Sequence, residues 1–155
     1  MSAVGLDHAG LTVSDIERAL GFWRDAVGFR ENGRGTVEWP HLDRLTGIAE
    51  TEIEWVGLEL ADGTQLELQE YHRPKGHPCP PGAEADPGRG HLGLRVAGLD
   101  ALVEKLRAAG AELRSPAPVV LDEGSYKGWR AIYALDPDGN SVELMEPPTG
   151  EEGQG

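Results

Sequence analysis

The 155-residue chain is 39% hydrophobic with a mean hydropathy of -0.40, which suits a soluble globular domain or two small halves sharing one core. No run approaches the roughly 20 apolar residues of a membrane helix, and the opening MSAVGLDHAG lacks the basic and apolar regions of a secretion signal. Twenty-seven acidic residues against 14 basic ones give a net charge of -13, which argues against nucleic acid as a partner, while the lone Cys79 allows no intramolecular disulfide and points to a cytoplasmic location.

GLDHAGLTV (5–13) reads as a first strand and SDIERALGFWRDAVG (14–28) as a helix. Ser14 and Glu17 have the spacing of a capping box. Ile16, Ala19, Leu20, Trp23 and Val27 recur at three and four residues, which makes one apolar stripe. Gly28 is the expected stop. Strands follow near Phe29 to Val37 and Glu52 to Leu60, separated by an insertion, WPHLDRLTGI (39–48). ADGT (61–64) is a hairpin turn, and QLELQEY (65–71) is the fourth strand. HRPKGHPCPPGAEADPGRG (72–90) has the composition of a linker. HLGLRVAGL (91–99) then opens a second unit, and LDALVEKLRAAG (99–110) is its amphipathic helix. AELRSP and YKGWRAIYAL supply strands, DPDGN a turn, and SVELMEP (141–147) the final strand. The expected organisation is a single domain, 1–147, of two repeated modules (about 4–71 and 91–147), followed by a disordered tail, 148–155.

The repeat is visible in the letters. DGTQLELQEY (62–71) and DGNSVELMEP (138–147) share Asp62/Asp138, Gly63/Gly139 and Glu67-Leu68/Glu143-Leu144 at one constant spacing. HAGLTV (8–13) likewise matches HLGLRV (91–96). Because strand side chains alternate between faces, Leu66 and Leu68 oppose Glu67, Gln69 and Tyr71. Val142 and Leu144 oppose Glu143. His8 and His91 oppose the leucines of their own strands. If the apolar faces pack on the helices, His8, Glu67, His91 and Glu143 share the other, polar faces. Two imidazoles and two carboxylates form a donor set for Zn, Ni, Co, Mn or Fe(II). His41, His72 and His77 fall outside the repeat and read as solvated loop side chains.

In these motifs the chain resembles the vicinal oxygen chelate (glyoxalase / bleomycin resistance / dioxygenase) superfamily. The resemblance runs from DHAGLTVSDIERALGFWRDAVGF through YALDPDGNSVELMEP. It implies an α+β fold of two βαβββ modules forming a cupped open barrel with flanking helices. It also implies one divalent ion held by His8, Glu67, His91 and Glu143, the positions that carry the family's ligands. Two His and two Glu look like glyoxalase I, or like methylmalonyl-CoA epimerase. The expected activity is proton transfer next to a carbonyl of a small molecule that chelates the metal through adjacent oxygens. Glu143 is the candidate base as a detaching ligand. Glu54 is a second candidate, on the assumption of a two-residue turn at Asp62-Gly63 that sets Leu58 opposite Glu67. Arg95, Gln69, Tyr71 and Arg130 are candidate substrate-binding residues, and a homodimer is expected. Two alternatives remain open: an Fe(II)-dependent oxygenase using His8, His91 and Glu143, and a small-molecule binding or antibiotic-resistance protein.

Overall fold

The computed structural model describes residues 2–79 and 84–148, so the expected tail falls outside the described residues from 149 onward. The chain divides into two compact units, Met1–Cys79 and Pro80–Gly155. The α+β class and the two-fold repeat of βαβββ are as expected.

In the first unit, β1 (Ala9–Thr12) leads to helix α1 (Ile16–Leu20), which continues as π-helical turns over Gly21–Val27. β2 (Arg30–Val37), a short helix α2 (Leu42–Thr46), β3 (Glu52–Glu59) and β4 (Gln65–Arg73) follow. The sheet order is β1-β4-β3-β2, with β1 parallel to β4 and the other pairs antiparallel. In the second unit, β5 (His91–Arg95) leads to helix α3 (Leu99–Ala108), then β6 (Glu112–Leu113), β7 (Val119–Val120), β8 (Arg130–Leu135) and β9 (Ser141–Glu146). The order β5-β9-β8-β6 repeats the first sheet, and β7, which the sequence did not suggest, pairs with β8.

Helix α1 starts at Asp15, whose carboxylate accepts from the Arg18 amide at 2.9 Å. The cap therefore sits one residue later than the expected capping box on Ser14, and Ser14 instead accepts from the Arg18 guanidinium. The π-helical register widens the buried face, so Phe22 and Ala26 join Ile16, Ala19, Leu20 and Trp23 in the core. Gly28 ends the helix in the left-handed conformation that glycine tolerates best. The insertion contains α2, and Asp43 accepts from the amides of Glu50 and Thr51, both at 2.9 Å. Those two bonds hold the Asp43 carboxyl below its usual range.

The hairpins determine what each strand presents. β3–β4 and β8–β9 close with the same bonds, Leu60 N–H to Thr64 O and Asp136 N–H to Asn140 O. Each loop has three residues and ends on a left-handed glycine, Gly63 (φ 88°) or Gly139 (φ 86°). The assumed two-residue turn at Asp62-Gly63 is therefore one residue short. Leu58 faces Leu66, Gly57 faces Glu67, and Glu54 faces Glu70. One residue of register exchanges the partners all along the strand.

Buried Val56, Leu58, Leu66 and Leu68 form the helix-facing side of the first sheet. Ile132, Ala134, Val142 and Leu144 do so in the second. At the end of each row a glutamate reaches the helix start. Glu70 Oε2 accepts from the Ile16 amide at 3.1 Å, and Glu146 Oε1 from the Leu99 amide at 2.8 Å. A carboxylate there meets an orphan donor and the positive end of the helix. Replacing Glu70 or Glu146 with Ala should cost about 1–2 kcal/mol each, with glutamine recovering part of the loss. Urea titration checks this through a lower midpoint at unchanged slope.

Candidate functional site

The side of each sheet turned away from its helix carries the polar set. In the first unit, Gly10 pairs with Glu67 and Thr12 with Gln69 across the parallel β1–β4 ladder. His8, two residues before Gly10, shares their side. Its Nε2 lies 4.0 Å from Glu67 Oε1. In the second unit, Gly93 pairs with Glu143, and His91 Nε2 lies 3.5 Å from Glu143 Oε2. The two pairs match in exposure: the histidines are 44% and 43% exposed, and their glutamates 28% and 21%. Within each unit the structure thus brings together the histidine and glutamate that the sequence paired.

The ring of His8 is oriented from behind. Its Nδ1 sits 2.8 Å from the Asp7 carboxylate, which leaves Nε2 directed to the Glu67 side. Asp7 raises the His8 pKa above 6.5; partial burial opposes the shift and Glu67 adds to it. A carboxylate behind the distal nitrogen is the usual support of a metal-binding imidazole. Bonds of about 2.1 Å from one cation to N and O bring such atoms to roughly 3–3.4 Å. The observed gaps of 3.5 and 4.0 Å are wider, and a side-chain rotation would be needed to close them. Each pair therefore has the donor chemistry for a divalent ion, with its atoms slightly farther apart than shared ligation requires.

Sequence reasoning missed Tyr133. It sits directly across the ladder from Glu143, and its hydroxyl lies 3.4 Å from His91 Nε2. The rings of His91 and Tyr133 meet edge to face at 5.2 Å. Burial pushes the phenol pKa up, and the Glu143 charge and hydrogen bond push the same way, so the hydroxyl stays a donor. The first unit has Gly57 at the matching place, opposite Glu67. The signal lay in the repeat, since Gly57 and Tyr133 are separated by the same interval as Glu67 and Glu143.

The other candidates divide by strand face. Gln69 lies on the Glu67 side and donates to Glu67. Tyr71, opposite Ile53, is half-buried on the same side. Arg95 shares the His91 side and stacks over the Trp129 ring at 5.3 Å. Two expectations are overturned. Glu54 aligns with Val56 and Leu58 on the helix-facing side, because the hairpin loop holds one residue more than assumed. Arg130 pairs with Glu146 across the β8–β9 ladder, binds it at 2.9 Å, and also meets Asp100; it braces the start of α3.

His72 is likewise not a loop residue. It is the bulged position of β4, and its imidazole lies 3.3 Å from Glu54 and 3.7 Å from both Glu52 and Glu70. Ligand atoms of Glu54, Glu70 and His72 fall within 4.8 Å of one another. Glu70 there is already engaged by the Ile16 amide and by Lys75 at 2.9 Å. Glu70 of this group thus serves the helix cap.

The Glyoxalase/Bleomycin resistance protein/Dioxygenase superfamily model matches residues 5–144. A curated relative, 2-epi-5-epi-valiolone epimerase from Actinomyces sp., is 30% identical over 154 residues, covering 96% of this chain and 82% of that protein. A glyoxalase family protein from Bacillus cereus has a similar structure (TM-score 0.79, 22% identity, 94% of this chain and 95% of that one). A fosfomycin resistance protein from Listeria monocytogenes, solved with Mn(II) and sulfate, also aligns (TM-score 0.60, 18% identity, 97% and 98%). These two structural likenesses bear on the fold. No helix among the described residues is long and apolar enough to cross a membrane.

In a pH titration of the metal-free protein by NMR, His8 should titrate above 6.5, and Asp7→Asn should lower it. The folded-state pKa is raised, so the stability it adds is fully present below the unfolded value. That contribution fades as pH rises through the folded value. An unmoved His8 in the Asp7 variant would contradict the assignment.

Proposed function

This chain belongs to the glyoxalase/bleomycin resistance protein/dioxygenase superfamily, and from that premise we propose that it is a divalent-metal-dependent isomerase. It moves a proton at the carbon next to a carbonyl of a small molecule with adjacent oxygens, in an epimerase-like reaction. One observation carries the reading: a histidine and a glutamate stand 4.0 and 3.5 Å apart at equivalent places on the polar sides of the two sheets. The epimerase relative supports isomerisation over the lyase chemistry of a glyoxalase.

His8, Glu67, His91 and Glu143 are the proposed ligands, one ion per site, in a protein that works as a homodimer. A bound Zn, Ni, Co, Mn or Fe(II) ion would polarise the carbonyl and acidify the adjacent C–H. Glu143 is the proposed base, accepting the proton at a carboxylate oxygen. Tyr133, on the neighbouring strand, donates to Glu143 and fixes its position between turnovers. Glu143 passes its proton to solvent, and a proton delivered from water to the opposite face of the same carbon gives the epimer. Gln69, Tyr71 and Arg95 stand on the sides that carry the ligand pairs, where they can hold the rest of the substrate.

Two measurements test the reading. In D2O with added metal, 2-oxo and 2-hydroxycarbonyl compounds should exchange the C–H next to the carbonyl. Glu143→Gln should slow that exchange by about 10²- to 10⁴-fold. Oxygen consumption with Fe(II) in place of exchange would favour the oxygenase instead. By calorimetry, His8→Ala and His91→Ala should each weaken metal binding by at least tenfold, while His72→Ala leaves it unchanged. Loss of binding in His72→Ala alone would move the metal to the Glu54–Glu70 group.

A further inference from the structure

The polar side of the first sheet carries an aromatic plate as well as ligand candidates. Trp55 lies directly across β4 from Gln69, and across β2 from Gly35; Gly33 and Gly57 pair beside it. The indole is laid against this glycine patch. A Cβ on Gly35 would sit 3.1 Å from Trp55 Nε1, and one on Gly33 would sit 3.3 Å from Cη2 at the far end of the ring. The ring system therefore spans both glycines with one face against backbone, and Trp55 is half-buried rather than part of the core. The second module shows that the fold does not need this plate, since the equivalent position holds buried Ala131.

The groups around the plate are neutral amides and the Glu67 carboxylate. Gln69 is its cross-strand neighbour. Asn32 donates to Gln65 at 2.7 Å beside Gly57. Among the described residues on this side, His8 stands near Glu67, and Arg30, at the far end of the strands, is bound to Glu59 at 3.0 Å. The groups next to the plate are thus suited to neutral hydroxyls. An indole face is electron-rich and attracts the C–H edge of a saturated ring, while amides can exchange hydrogen bonds with hydroxyls. A partly exposed apolar wall with a few convergent polar groups is the usual make-up of a small-molecule site.

We propose that Trp55 is the platform for a neutral, polyhydroxylated ring ketone. The C–H face of the ring lies on the indole, and Gln69 hydrogen-bonds to its hydroxyls. The reaction on that ligand rests on the isomerase reading above; the binding does not. Gly33 and Gly35 are then specificity determinants, since they let the indole lie flat.

The test uses the full-length, metal-loaded protein, with a cyclic inosose as ring ketone and dihydroxyacetone as its open-chain counterpart. In 1H–15N NMR spectra, the indole N–H signal that disappears in Trp55→Phe should shift on adding the inosose. Trp55→Ala should raise Kd for the inosose at least tenfold and leave metal affinity and dihydroxyacetone binding unchanged. Trp55→Phe should retain most of the affinity. Gly35→Ala, which pushes against the indole without removing it, should weaken inosose binding as well. A Trp55 signal that stays in place, or equal losses for ring and open-chain ketones, would overturn the proposal. A shifted Trp55 signal without C–H exchange would support the platform and count against the isomerase reading. C–H exchange of the inosose with an unchanged Kd in Trp55→Ala would do the reverse.

Discussion

Each module depends on a hairpin loop that holds three residues and ends on a left-handed glycine, Gly63 or Gly139. That loop length sets Gly57 against Glu67 and Tyr133 against Glu143. It also aligns Val56 and Leu58 with Leu66 and Leu68, so one side of the sheet is apolar throughout and packs on its helix. A two-residue loop would offer the same side chains in mismatched rows, with carboxylates opposite leucines. The apolar rows hold the strands in place, and the polar side can then carry groups that contribute little to packing. Glu70 and Glu146 complete the arrangement by tying the end of the last strand to the first amide of the helix.

Much of this was legible in the letters. Parity within one strand is a local property, so Leu66-Glu67-Leu68 and Val142-Glu143-Leu144 place their glutamates correctly without knowledge of the fold. The two histidines follow from the same rule and the repeat. Glu54 and Arg130 went astray because their sides depend on pairing between strands, and pairing depends on loop length. Asp62-Gly63 looks like a two-residue turn, and only the bond from Leu60 to Thr64 shows the third residue. His72 was hidden because strand β4 runs on into a segment whose composition is that of a linker.

The copies also differ where it matters most. Opposite the glutamate, one has glycine and the other tyrosine. Two residues earlier on the same strand, one has tryptophan and the other alanine. These are the polar-side positions of β3 and β8, and packing against the helix constrains neither. Duplication thus preserved the donor pairs while the neighbouring places diverged, as expected if one half keeps its carboxylate engaged by a phenol and the other presents an apolar plate. Most of the basic side chains are taken up in ion pairs such as Arg30–Glu59 and Arg34–Glu31, and the -13 net charge left by the excess of acidic residues tells little about the ligand.

His8, Glu67, His91 and Glu143 are the ligands proposed for the metal. X-ray absorption of the Co(II)-loaded protein tests this assignment most directly, because scattering from imidazole rings counts histidines. Two imidazoles and additional oxygen donors per ion are expected, falling to one imidazole in His8→Ala and in His91→Ala. A single imidazole that survives both substitutions and vanishes in His72→Ala would contradict it.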